Sequence, residues 1–268
     1  MALVAINKDT CTKCGLCATQ CNLIIFKEGS YPRQLPGTDE YCLRCGHCVA
    51  VCPAGSLTHR ELPETTPIEK AQEISFKQCA QLIKGRRSVR NFRDKDVAGE
   101  DIERIIDTAR YAPTGHNNQE VQWLVINDRA KMRQLSAIGA DWLRFMIKNN
   151  PGMAAMFQGI LTALDAGQDV FLRDAPALVT AYAEKNNPMA ATDCAIVLGY
   201  FDLAANSLKL GCCWAGFFYM AAASFPAMVE AIGLPEGFTP YGALMLGYPK
   251  YKYARIPERR PARIIYRP

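Results

Sequence analysis

Eight of the twelve cysteines fall before residue 53, in two runs with the same spacing. The first run holds Cys11, Cys14, Cys17 and Cys21, and the second holds Cys42, Cys45, Cys48 and Cys52. Each run reads C-x2-C-x2-C-x3-C, with a glycine between its second and third cysteines. Three thiolates so spaced can curl around one corner of an iron–sulfur cubane, and the glycine lets the backbone approach it. The spacing therefore predicts electron-transfer chemistry.

Together the two runs resemble the bacterial two-cluster ferredoxin, in which the fourth cysteine of each run ligates the other cluster. That rule places Cys52 with the first three cysteines of the first run, and Cys21 with the first three of the second. The resemblance implies two [4Fe–4S] clusters in a small ferredoxin-like, βαβ-type domain over residues 1–60. Asn22 departs from the ferredoxin pattern, because a proline often follows the fourth cysteine, as Pro53 does in the second run.

Structural zinc is the main alternative for closely spaced cysteines. Zinc takes its four ligands in two pairs, so the third cysteine of each run would be left idle. Disulfides are less favoured, because we expect the chain to be cytoplasmic, where thiols stay reduced. That expectation comes from residues 1–10, which lack the apolar run of ~7–15 residues that a signal peptide needs.

Charge and hydropathy bear on the class of partner. A net charge of +5 is too mild to indicate nucleic acid. The longest apolar stretch, residues 189–223, is interrupted by Asp193, Asp202 and Lys209, which argues against a membrane span.

Residues 61–70 contain two prolines, and their polar and apolar residues do not alternate regularly, which predicts a linker over 61–74. From residue 75 the pattern predicts helices over 75–84, over 100–111 and from Asn187-Pro188 to Leu210. Strands are predicted over 121–127, 177–182, 212–218 and 241–246. Helices packed on a central sheet predict an α+β, three-layer domain over residues 75–268.

Three segments of this second domain could bind a ligand. Residues 86–93 put four arginines and a serine directly after a helix, which suits an anionic phosphate. Residues 112–119 form a polar loop of short side chains. Residues 211–217 end a helix with small residues that would let backbone N–H groups approach a flat ligand. Taken singly, these segments are better explained as a solvated basic face, an ordinary turn and a core strand.

The order of these segments resembles the FMN-dependent nitroreductase family. Arg86-Arg87-Ser88-Val89-Arg90-Asn91-Phe92 matches the family's R-[RH]-S-x-[RK]-x-[FY] segment, and residues 112–119 match its A-P-[ST]-x-x-N-x-Q loop. A helix opening on Asp193, a glycine-bounded turn around Trp214, Gly247-Tyr248-Pro249 and a basic C-terminal segment follow. Gly115 replaces a frequent serine, and Gln119 lacks the Pro-Trp that often follows it. Glu258 stands where some members have a second base, which Lys250, Lys252 or Arg259 could supply instead.

The resemblance implies a nitroreductase-like three-layer sandwich, with a central mixed sheet wrapped by helices, that binds FMN at the interface of an intertwined homodimer. It assigns Arg86, Arg87, Ser88 and Arg90 to the phosphate, ribityl chain and pyrimidine edge. It assigns Arg260 to the phosphate, and Ala215 and Gly216 to the ring near N5. Pro113, Thr114 and Asn117 would reach the flavin from the partner subunit. The family needs no nucleophile or dedicated base, so no catalytic side chain is expected.

The two domains together predict an oxidoreductase that takes electrons from reduced ferredoxin or NAD(P)H. The electrons would pass through two [4Fe–4S] clusters to FMN and then to a small acceptor such as a nitroaromatic or quinone. A non-enzymatic electron carrier or redox sensor, and a dehalogenase or ene-reductase, stay open as alternatives. Residues 141–174 could form a substrate lid or, slightly favoured, plain helix of the dimer interface.

Overall fold

The computed structural model describes residues 2–267, apart from the side chain of Met153. Met1 and Pro268, which end the two predicted domains, lie outside the described residues. The chain divides into two compact units. Unit 1 reaches to Glu73 and includes His116–Asn118, and unit 2 contains Ile74–Gly115 and the chain from Gln119 onward.

Unit 1 is built from two short helices and two small antiparallel sheets. Its elements are β1 (Val4–Ile6), α1 (Leu16–Gln20), β2 (Ile24–Ile25), β3 (Arg33–Gln34), α2 (His47–Ala50) and β4 (Leu57–His59). Strand β1 pairs with β4, and β2 pairs with β3. Each half therefore runs strand, helix, strand, in keeping with the duplicated cysteine spacing.

The core of unit 1 is very small. Its buried hydrophobic cluster, within the described residues, consists of Cys17, Ile24, Cys48 and Leu57. Units of this size usually need a metal or disulfides to hold them together, because so small a core cannot offset the chain entropy. Two of these four residues are cysteines of the predicted ligand sets, so cluster binding and folding are expected to be coupled in this unit.

Unit 2 alternates helices with four strands. Its elements are α3 (Phe76–Gly85), α4 (Gly99–Ala109), β5 (Gln122–Ile126), α5 (Arg129–Asn149), α6 (Pro151–Asp165), β6 (Ala177–Glu184), α7 (Ala190–Ser207), β7 (Gly211–Trp214), α8 (Gly216–Ser224), α9 (Pro226–Ile232) and β8 (Phe238–Gly247). Helix α3 begins at a capping box in which Ser75 and Gln78 bond reciprocally, which fixes its first turn. Helix α4 buries Ile102, Ile105 and Ala109, at the spacing of one helical face.

The four strands form one sheet in the order β5-β6-β8-β7. One hydrophobic cluster packs α5, α6, α8 and α9 on one face, and a second packs α4 and α7 on the other. This arrangement confirms the α+β fold with helices on both faces of a sheet. All pairings among these four strands are antiparallel, so the expected mixture of strand directions is not seen in them.

Two predicted elements differ in extent. The strand expected over 212–218 ends at Trp214, and Phe217 and Phe218 belong to α8. The helix expected from Asn187-Pro188 begins at Ala190, because the side chain of Asn187 accepts the N–H of Met189 in a turn that precedes the helix. Within residues 2–267, none of the helices has both the length and the apolar character to cross a bilayer.

Candidate functional site

The two cysteine loops have the same backbone shape. Lys13 and Gly15 have positive φ angles of 57° and 74°, and Arg44 and Gly46, at the matching positions, have 53° and 71°. A short helix begins directly after each glycine, α1 in the first loop and α2 in the second. These left-handed residues turn the chain back on itself, so successive cysteines in each loop can face a common centre.

The structure brings Cys52 to the first loop. One cavity of unit 1 is lined by four cysteines, Cys11, Cys14, Cys17 and Cys52. Ser56, which is 1% exposed, also lines it, and the backbone N–H of Ser56 donates to Cys52 Sγ at 3.3 Å. The hydroxyl of Ser56 is buried without a hydrogen-bond partner. A sulfur-rich cavity with an N–H and a spare hydroxyl at its wall fits an iron–sulfur cluster, whose sulfurs accept such bonds.

In the second loop Cys21 lies close enough to Cys48 to affect its charge. Burial is the main cause that raises the pKa of Cys48 to about 11, and the nearby Cys21, Cys45 and Cys42 contribute to the same shift. In the first loop, by contrast, the backbone N–H of Leu16 and the side chain of Thr12 lower the pKa of Cys14. Crowded thiols of this kind are stabilised as thiolates by bound iron. The grouping matches the predicted exchange of fourth cysteines, and the ligation itself stays a prediction.

A site for a single metal ion needs at least three ligands close together. Nowhere in residues 2–267 do three Cys, His, Asp or Glu side chains converge at the spacing that one ion requires.

The sequence analysis missed His59, which lies seven residues after Cys52. His59 is 2% exposed, and its Nε2 is 3.4 Å from Cys42 Sγ. In β4, Leu57 and His59 are buried while Thr58 is exposed. This alternation in the sequence could have placed His59 on the inward face.

In unit 2 the arginine segment is held in place along its whole length. Val89 N–H donates to Cys212 O at 2.9 Å, and Arg93 N–H donates to Tyr248 O at 2.8 Å. Gly211 and Gly247 permit this approach: an added Cβ would lie 2.3 Å from Val89 Cγ2 at the first, and 2.8 Å from Phe92 at the second. The glycines at the ends of β7 and β8 therefore position the basic residues.

These residues line a cavity of about 250 Å³, whose walls are Arg86, Arg87, Ser88, Arg90, Tyr253 and Arg259. Four guanidinium groups around a space of this size suit a phosphate monoester. Arg259 lines this cavity, whereas Arg260, which the resemblance assigns to the phosphate, lines neither this cavity nor the adjoining one. Adjacent side chains of a non-helical segment point to different sides, so a shift of one residue exchanges the two arginines.

Two of these arginines already donate hydrogen bonds to other groups of the protein. Arg86 donates from Nε and Nη1 to Asp202 Oδ2, at 3.0 and 3.1 Å. Arg87 donates to the carbonyls of Lys84 and Arg86, at the C-terminal end of α3. Both contacts fix the direction of a guanidinium group before any ligand binds, which lowers the entropy lost on binding.

A second cavity of about 290 Å³ shares Arg90 with the first. Its walls are Arg90, Val170, Phe171, Arg173, Cys213, Trp214, Ala215, Gly216, Phe217, Met220 and Met245. The N–H of Ala215 already donates to Ala243 O at 2.8 Å. Gly216 opens α8, and first-turn N–H groups have no acceptor within their own helix. Gly216 is therefore the better placed of the two predicted residues to donate to a flat ligand.

Arg173 is a further residue that the sequence analysis missed. It lies in a turn where Arg173 and Asp174 both have positive φ angles, 60° and 50°. The carboxylate of Asp169 organises this turn by accepting the N–H groups of Phe171, Leu172 and Asp174. No hydrophobic period marks the segment, so its sequence gave little signal that Arg173 faces the cavity.

The remaining predicted residues lie on the loop of residues 112–119. Gly115 N–H donates to the buried Asp193, and Gln119 N–H donates to Thr114 Oγ1, both at 3.0 Å. Asn117, which groups with unit 1, donates its amide to the carbonyls of Leu43 and Arg44. Pro113, Thr114 and Asn117 line neither cavity of their own chain. The loop is thus ordered without reaching those cavities.

The basic cavity and the aromatic one share Arg90, an arrangement that suits an anionic cofactor with an aromatic ring. Residues 83–248 match the Nitroreductase family, and residues 10–57 match the 4Fe-4S dicluster domain. The first match covers more than half of the chain, and the chain belongs to the nitroreductase family.

Relatives and solved structures agree with this assignment. An Archaeoglobus fulgidus protein, provisionally named NADH dehydrogenase/NAD(P)H nitroreductase, is 27% identical over 180 residues, which are 65% of this chain and 87% of that protein. The Bacillus subtilis FMN reductase [NAD(P)H] is 27% identical over 179 residues, 64% of this chain and 66% of its own length. A Desulfitobacterium hafniense nitroreductase with bound FMN shares the fold, with a TM-score of 0.59, 23% identity and coverage of 72% of this chain and 99% of that one.

Proposed function

We propose that this chain is an iron–sulfur flavoprotein oxidoreductase that takes electrons from a reduced carrier and delivers them to a small acceptor such as a nitroaromatic or a quinone. Two [4Fe–4S] clusters in unit 1 and FMN in unit 2 would supply one-electron transfer and exchange between one- and two-electron steps. The observation that carries the proposal is Arg90, which lines both the basic cavity and the aromatic one.

In this proposal each part of FMN has residues of the chain that would hold it. Arg86, Arg87, Ser88 and Arg259, which line the basic cavity, would surround the phosphate. Arg90 stands where the two cavities meet, so its fixed positive charge would stabilise negative charge on the reduced ring. Gly216 would offer its N–H at the ring, and Trp214, Phe217 and Met220 would exclude water from it.

Exposed apolar side chains support a homodimer. Phe76 and Ile83 on α3 are 86% and 52% exposed, and Tyr266 on the C-terminal tail is 86% exposed. Large exposed apolar residues that share one helix, as Phe76 and Ile83 do, often mark an interface. A second copy would cover them, and it would let Pro113, Thr114 and Asn117 reach the partner's flavin. The reduced thiols that the clusters need suit the cytoplasm.

An anaerobic reduction experiment tests the proposal. The full chain, reconstituted with iron, sulfide and FMN, is mixed with reduced ferredoxin or with NAD(P)H, and flavin absorbance is followed. We expect ferredoxin to reduce the flavin of the full chain, and expect this reduction to be lost when residues 1–60 are removed. NAD(P)H reduction that survives the truncation unchanged would defeat the role of unit 1 as the entry for electrons. Turnover with nitroaromatics and quinones then separates an enzyme from a pure electron carrier.

A further inference from the structure

His59 contacts a cysteine of only one of the two ligand sets. Its Nε2 is 3.4 Å from Cys42 Sγ, a distance within the range of hydrogen bonds to sulfur. The imidazole is 2% exposed, so water does not compete for this nitrogen. A buried N–H beside a sulfur ligand acts on that ligand far more strongly than an exposed one, because the local dielectric is low.

The surrounding bonds decide which ring nitrogen carries the proton. Glu61 N–H donates to His59 Nδ1 at 3.2 Å, so Nδ1 is the acceptor. A neutral imidazole has one acceptor and one donor nitrogen, and Nε2 is therefore the donor that faces Cys42. The contact is an N–H···S hydrogen bond.

Further contacts hold the imidazole in this orientation. The carboxylate of Glu61 pairs with Arg44, and Arg44 Nη1 donates to the carbonyl of Cys42 at 3.2 Å. Cys42, His59, Glu61 and Arg44 thus form a closed ring of hydrogen bonds. Rotation of the imidazole would break two hydrogen bonds of this ring at once, the one to Cys42 and the one from Glu61.

Among the described residues that line the cavity of the first cysteine set, none offers an equivalent imidazole. The cavity bounded by Cys11, Cys14, Cys17 and Cys52 includes no histidine. The two sets therefore differ in hydrogen bonding at their sulfur atoms although their spacing is identical.

We propose that His59 is a tuning residue for the cluster held by Cys42, Cys45, Cys48 and Cys21, and that its N–H···S bond raises the reduction potential of that cluster alone. One-electron reduction adds negative charge to a cluster and its thiolate sulfurs, and a donor to sulfur stabilises the reduced form more than the oxidised form. The inference rests on the two clusters of the proposed function and goes beyond it in assigning them unequal potentials.

Potentiometric titration of the full reconstituted chain, followed by electron paramagnetic resonance, tests the inference. His59→Leu removes the donor, and His59→Gln keeps an N–H. We expect His59→Leu to lower one of the two potentials by at least the equivalent of a tenfold change in the reduction constant, about 59 mV for one electron. The other potential should stay unchanged, and His59→Gln should restore part of the loss. Ser56→Ala, at the first set, should leave the His59-dependent potential unchanged.

Two unchanged potentials in His59→Leu with full iron content would overturn the inference, and so would an equal fall of both. If His59→Leu does not retain iron, pulsed electron paramagnetic resonance of the wild type tests the inference instead. The N–H···S bond requires an exchangeable proton that is coupled both to a reduced cluster and to ¹⁵N-labelled histidine. Its absence overturns the inference. Iron and sulfide analysis of the wild type separates these outcomes from failure of the proposed function, which would leave no clusters to titrate.

Discussion

The buried carboxylate of Asp193 accepts a hydrogen bond of 3.0 Å from the backbone N–H of Gly115. Asp193 lies in the first turn of α7, 78 residues further along the chain, and is 2% exposed. The loop of residues 112–119 is thereby tied to a rigid helix. Gly115 fits there because an added Cβ would lie 2.7 Å from Met189 Cγ, which explains why the serine frequent in the family is absent.

Asp193→Asn is expected to weaken FMN binding about tenfold. A neutral amide accepts a hydrogen bond roughly half as strongly as a carboxylate, so the loop that carries Thr114 and Asn117 would lose its fixed position. Quenching of flavin fluorescence on titration into the flavin-free chain measures the dissociation constant. Asp165→Asn is the matched control, because its pairing with Arg144 is exposed and worth little. Equal affinities for the two variants would mean that Asp193 does not position the loop.

Arg259 and Arg260 provide a direct test of which tail residue binds the phosphate. Arg259→Ala should raise the dissociation constant of FMN tenfold or more, since a hydrogen bond to a charged group contributes about 1.5–3 kcal/mol. Arg260→Ala, one residue away and equal in charge, should leave it nearly unchanged. The same titration with riboflavin, which lacks the phosphate, should show no difference between the variants. A larger loss of FMN affinity in Arg260→Ala than in Arg259→Ala would assign phosphate binding to Arg260.

The residues that sequence reasoning placed well are those marked by a period or a cap. Helix α3 begins after Ser75, where the predicted helix over 75–84 begins, and Ser75 forms a capping box with Gln78. In α4, Ile102, Ile105 and Ala109 repeat at helical spacing. The cysteine spacing likewise led to the two groupings that the structure shows around its loops.

The misplaced residues lack such a signal. Phe217 and Phe218 continue an apolar run from β7 into α8, and a run buried on every side has the same composition in either element. Arg173 and Arg259 lie in segments without regular structure, where the direction of a side chain depends on tertiary contacts. His59 alone had a usable signal, its alternation with Leu57.

Ser56→Ala should speed the loss of iron from the first cluster several-fold. The buried hydroxyl of Ser56 has no partner within the protein, and it lines the cavity with Cys52. A cluster sulfur would satisfy it, with a net contribution of about 0.5–1.5 kcal/mol. Anaerobic transfer of iron to a chelator, followed by absorbance, measures the rate. Thr58→Val removes an exposed hydroxyl two residues away on β4 and should leave the rate unchanged; similar rates in both variants would show that the Ser56 hydroxyl does not bond the cluster.

The pairing of Asp202 with Arg86 predicts a pH dependence of stability. Burial raises the pKa of Asp202 above its ordinary value of 3.8, and the opposing attraction of Arg86 does not cancel that effect. A carboxyl with a raised pKa takes up a proton on folding. Its contribution to stability is complete below the unfolded pKa and is lost as pH rises through the folded one. Asp202→Asn has no such titration, so the free energy of unfolding of the wild type relative to this variant should fall as pH rises above 3.8.

Urea unfolding of the flavin-free and metal-free chain at a series of pH values measures this difference. The three tryptophans, Trp123, Trp142 and Trp214, all lie in unit 2 and report its unfolding without interference from unit 1. Asp128→Asn, at the exposed N-terminal cap of α5, serves as the comparison, because it removes a surface carboxylate that accepts the N–H of Lys131. A difference between wild type and Asp202→Asn that stays level, or that grows with pH, would mean that the carboxyl of Asp202 is held charged by Arg86 rather than penalised by burial.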